Sequence, residues 1–238
     1  MESPITTALD DLIRRSAPTQ SQARPPVPEE NLKQFKPAPE SEHARLDEGT
    51  SRRLTSMSPS AQYKWASRTL IESAESRAGL TIDQAALISH VIASNETIRD
   101  NLVLDVVGSR IKCDRLVQAF RVADEARRPA MAGLAAAALY LNGHHPDSVY
   151  AVARHTSDKL ARSVLTAADQ GVDPHAWATA IDAGQLQERL QLADRLHYRN
   201  QMSAEMGRID RLGWERDHDI KRPPTASTER SAEPGPEK

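Results

Sequence analysis

Along the chain, apolar positions recur at steps of three and four with polar residues between them, and nowhere do they alternate singly over a strand-length run. That period belongs to the helix, so strands are excluded and an all-α domain is expected over residues 58–217. Helix punctuation divides it. Ser58-Pro59 opens a helix to about Ala78, and Gly79 stops it. Thr81 with Gln84 three residues on forms a capping box, which starts a helix at Ile82 with Leu87, Ile88, Val91 and Ile92 inward. Asn95 caps a short helix carrying Ile98, Leu102 and Val106, which ends at Gly108.

Ser109 to Ala126 places Cys113, Leu116, Val117, Phe120 and Ala123 on one face. Arg128-Pro129 then starts a segment, Ala130 to Leu141, that is alanine-rich on every side. Such a helix has no polar face to turn outward and is expected at the centre of the domain. Pro146 starts the next helix, Ser157 caps one ending at Gly171, and Asp173-Pro174 opens one ending at Gly184. A long polar helix over 185–217 closes the domain. Short turns between helices of ten to twenty residues make an antiparallel multi-helix bundle or a short helical-hairpin stack.

The flanks have a different texture. Eleven of the 15 prolines lie in residues 1–57 or after His218, interspersed with Ser, Thr and Glu. Segments of this kind bury too little apolar surface to offset ordering entropy, so 1–57 is expected to be a disordered polar arm and 218–238 a disordered tail. One exception stands out within the arm. Ile5, Leu9, Leu12 and Ile13 share a helical face, with Ser3 placed as N-cap and Pro4 at the first helical position, which predicts a short helix over 4–15.

Charge narrows the function classes. The 238 residues carry a formal net charge of −2, with no basic segment dense enough to advertise phosphate neutralisation. The amino terminus carries Asp10 and Asp11 where a secretory leader needs bases followed by an apolar run, and the longest apolar stretch is about twelve residues, short of the roughly 20 that span a bilayer. A soluble, cytoplasmic protein that does not engage membranes is the expectation. The single cysteine, Cys113, fits a reducing compartment.

The order of signals resembles a known family. Asn95-Glu96-Thr97-Ile98-Arg99-Asp100-Asn101-Leu102, then Met131 to Gly143, then Leu160-Ala161-Arg162-Ser163-Val164-Leu165, then Gly171-Val172-Asp173-Pro174 are similar to the C-terminal half of the actinobacterial uncharacterised domain family 4192. The likeness covers about residues 81–183. It implies a helical fold and transfers no catalytic residue. The family's Gly-x-Gly turn is here Gly143-His144-His145, its Asp-Pro is Ser157-Asp158, and its N-terminal half is not recognisable.

Chemistry-bearing constellations are sparse. Cys113 sits on an apolar face as a buried, inert thiol, and no phosphate loop, nucleophile elbow or metal-spaced carboxylate cluster is present, so no catalytic residue, metal ligand or cofactor is assigned. His144 and His145 lie in a turn as helix caps. The best reading is a non-catalytic protein-interaction adaptor or scaffold, binding another protein or itself through Met202, Met206, Ile209 and Trp214 of the last helix. The alternative is a DNA-binding helix-turn-helix over Gln84 to Leu102, with Asn95 as cap and Thr97 and Arg99 facing the duplex. Its net charge of −2 from Leu80 to Leu102 disfavours nucleic acid, although Ser109 to Arg128 carries six bases against three acids.

Overall fold

The computed structural model describes residues 3–16, 28–43, 46–76, 78–154 and 156–219, apart from the side chains of 31 and 209–219. Among these residues the chain is all-α. Its helices are α1 (Pro4–Arg15), α2 (Glu29–Leu32), α3 (Glu48–Ser56), α4 (Pro59–Glu75), α5 (Ile82–Ser94), α6 (Glu96–Val106), α7 (Arg110–Val122), α8 (Arg128–Leu141), α9 (Pro146–Ala153), α10 (Lys159–Gln170), α11 (Pro174–Ala180) and α12 (Ala183–Asp219). Two single 3₁₀ turns, Lys33–Phe35 and Glu40–Glu42, lie between α2 and α3. The chain divides into two compact units, residues 1–197 and 198–238.

Cap chemistry sets most boundaries in the first unit. The Thr81 hydroxyl accepts from the Gln84 N–H while the Gln84 side chain accepts from the Thr81 N–H, a complete capping box. Ser58, Asn95, Ser109 and Asp173 each take an orphan N–H of the helix that follows. The cap of α10 is Asp158 rather than Ser157, because its carboxylate accepts from the Ala161 N–H at the start of the helix. Gly171 closes α10 with a left-handed φ of 66°, which a side chain would resist.

The alanine-rich α8 is the hub, buried from Met131 to Leu141 and packed by α5, α6, α7, α9, α10 and α11. Small side chains let those neighbours approach closely, and Phe120, Leu134, Leu116 and Val164 fill the space between them. The first half of α12 is held to this body by polar ties as well as by Leu186 and Leu190. Asp194 accepts from the Ser60 N–H at the start of α4, and the Asn101 side chain donates to the Leu186 carbonyl.

Parts of the arm expected to be disordered are built into the first unit. Helix α1 packs on α10 and α11, with Ile5 and Leu9 fully buried. Phe35 and Ala38 are buried, the Ala38 N–H donates to the Arg121 carbonyl at 2.8 Å, and Leu54 of α3 is buried beside α5. The helix over 4–15 forms where its periodicity placed it, whereas composition hid the pieces around Phe35, Ala38 and Leu54, because each contributes only one or two anchors amid proline and charge.

Candidate interaction surface

The two proposed recognition regions meet different fates. Around Asn95 the turn is a single residue: Asn95 ends α5 and its side chain also caps α6 by accepting from the Thr97 N–H. A DNA-reading helix-turn-helix needs a turn of about three or four residues to angle its second helix outward. Ile88 and Ile92 are buried between the helices. Thr97 is half-buried, and Arg99 is 6% exposed.

Arg99 is spoken for. Its Nη1 donates to Asp158 Oδ2 and its Nη2 to Glu96 Oε1, both at 2.9 Å, while Nε lies 3.6 Å from Asp100 Oδ1. The guanidinium thus joins α6 to the cap of α10, and with 7% of its side chain exposed it has little left to offer a phosphate. Burial pushes the Asp100 carboxyl up to about 6, against the opposing pull of Arg99 and the Ser3 hydroxyl. Gly133 completes the arrangement, since a Cβ there would run into the Asp158 carboxylate as it crosses α8. Glu96 and Asp100 are neighbours of Arg99 in the sequence, whereas Asp158 lies 59 residues away and is not visible there.

Two of the bases of α7 are used similarly. Arg115 donates to the Ser73 and Ser76 carbonyls at the C-terminus of α4, and Lys112 donates to the Asp105 carbonyl of α6. Cations at helix C-termini are favourable there without any external anion. Cys113 is fully buried, and burial pushes its thiol up to about 12. His145 caps α9, its Nδ1 accepting from the Asp147 N–H, and burial holds the half-buried His144 below its ordinary value. His155 lies outside the described residues. Among the described residues, no group of three or more His, Cys, Asp or Glu is placed to hold a metal ion, and no helix is long and apolar enough to cross a membrane.

Helix α12 presents the other picture. In the second unit Tyr198, Met202 and Met206 are 68, 50 and 58% exposed along a continuous helical backbone, and Leu192 and Leu196 are exposed in the first. Ile209 and Trp214 lie outside the residues whose side chains are described. Methionine is unbranched and polarisable, so a surface built on it adapts to many apolar partners. No family model, curated protein or solved structure matches the chain.

Two grooves, of about 500 and 440 Å³, flank α1. One is edged by Asp11, Arg15, Asp182 and Arg189, the other by Asp10, Arg14, Lys159 and Arg162. Each sets acids against bases, and no convergent set of donors marks a reacting atom.

Proposed function

We propose that this protein is a non-catalytic helical scaffold whose α12 meets another protein chain through the face carrying Met202 and Met206. The observation that carries the reading is the exposure of Tyr198, Met202 and Met206 on one helix. Large apolar side chains left in water on successive turns mark surfaces that gain by association. Helix-in-groove and helix-on-helix recognition both use anchors spaced three and four residues apart, and Tyr198, Met202 and Met206 recur at four. The resemblance over residues 81–183 adds the helical body and leaves the interaction with α12.

A photo-crosslinking residue at position 202 of the full chain tests this. The expected result is a discrete protein adduct, resistant to nuclease, that is lost when Met206→Asp is added and is absent when the crosslinker sits at the exposed position 72 on α4. No protein adduct from position 202, or the same adducts from position 72, contradicts the reading.

A further inference from the structure

Resting on the reading of α12 as an interaction helix, we propose that Met202 and Met206 are a paired oxidation site: a peroxide converts both thioethers to sulfoxides and releases the partner, and reduction restores binding. The sulfur of the chain is unevenly placed. Of its five methionines and one cysteine, Met131 and Cys113 are fully buried and Met57 is half-buried against the core, whereas Met202 and Met206 are 50 and 58% exposed. Met1 lies outside the described residues. Ser203, Ala204 and Glu205 between the pair are exposed as well, so on the helix itself no wall of side chains keeps a small oxidant in water from either sulfur.

Thioether oxidation follows access, because it requires no ionisation of the sulfur. A sulfur lone pair attacks one oxygen of hydrogen peroxide; the S–O bond forms as the O–O bond breaks, the peroxide is reduced to water, and no proton leaves the protein. The product is a polar side chain in place of a flexible apolar one. Four residues apart, the two methionines are neighbours on the helix surface and enter the same apolar contact. Each sulfoxide oxygen must then be stripped of water to be covered, and the gain from burying the thioether is lost. For one methionine that gain corresponds to roughly a factor of ten or more in affinity. Leucine supplies a similar apolar anchor without this chemistry.

To test this, the full-length protein is treated with hydrogen peroxide, the excess is removed, and sulfoxide is mapped by peptide mass spectrometry. Met202 and Met206 are expected to oxidise at least about tenfold faster than Met131, with the unfolding midpoint unchanged. A photo-crosslinker at position 198, which spares both methionines, then reads binding. The untreated chain is expected to give a nuclease-resistant protein adduct, and the oxidised chain at most about a tenth of it. Methionine sulfoxide reductases acting on both sulfoxide epimers should restore the adduct. Met202→Leu with Met206→Leu should give it before and after peroxide alike; if that variant does not bind at all, restoration by the reductases decides. An adduct that survives oxidation of both methionines, is lost on peroxide treatment of the leucine pair, or is not restored by reduction overturns the switch and leaves the interaction reading standing. Oxidation of Met131 as fast as the pair does the same. No adduct from the untreated chain overturns both.

Discussion

Two amphipathic helices in the chain, α1 and the part of α12 beyond His197, look alike as sequences and end up opposite as structures. Each carries apolar residues at helical spacing in a polar setting. In α1 those residues are swallowed: Ile5 and Leu9 are fully buried, the Trp177 indole donates to the Ile5 carbonyl at 3.0 Å, and the Ser163 hydroxyl donates to Asp10 at 2.7 Å. In α12 Met202 and Met206 stay in water. An apolar stripe thus says that a helix has something to bury, and only the rest of the fold says whether the burial is internal. For α1 the answer is written in residues more than 150 positions away, where α10 and α11 form a seat with hydrogen-bonding groups matched to the helix.

Substitutions at the seat separate the two helices most sharply. Trp177→Ala removes a fully buried ring and the donor to Ile5, and is expected to destabilise the fold by about 3–5 kcal/mol in denaturant unfolding. Next comes a pH effect confined to the α1–α6 side. Asp100 binds its proton up to about pH 6 in the folded chain, whereas an unfolded carboxyl releases it near 4. Between those values the folded state holds more protons than the unfolded one. Stability should therefore fall as pH rises from about 4 to about 6, by about 3 kcal/mol in all, and then level off. Asp100→Asn should remove most of that slope in urea titrations run across the range.

Smaller effects sharpen the same contrast. Ser163→Ala deletes the donor to Asp10 and should cost about 1 kcal/mol, again by unfolding. At the far end of the chain, Met202→Asp with Met206→Asp should shift monomer stability by no more than about 0.5 kcal/mol each, because exposed side chains contribute little to the fold. The same pair is expected to remove association altogether. A surface whose loss leaves folding intact and abolishes binding is an interaction surface, while the seat of α1 behaves as core.

What the sequence discloses follows the same line between local and distant causes. The starts of α4, α5, α6, α8 and α11 were legible because cap chemistry lies within four residues of the boundary it sets, as with Thr81 and Gln84. The central place of α8 was legible because a helix of alanines has no polar face. The docking of α1 was not, since Ile5 and Trp177 lie 172 residues apart, and neither residue signals the other. Arg99 shows the same gap: beside Thr97 it resembles a recognition residue, and only the fold brings Asp158, 59 residues away, onto its guanidinium. The residues of α12 were legible as an apolar set, and their exposure came from the structure.

Hydrogen exchange of the full chain puts the contrast to its most direct test. Amide protection in residues 4–15 should match that of α8 at every concentration, because α1 opens only with the core. Residues 198–208 should exchange within seconds in dilute solution, since a helix with no packed face is marginal in water, and should gain protection only when a partner covers it. Fast exchange in α1, or concentration-independent protection of 198–208 equal to that of the core, would contradict the account.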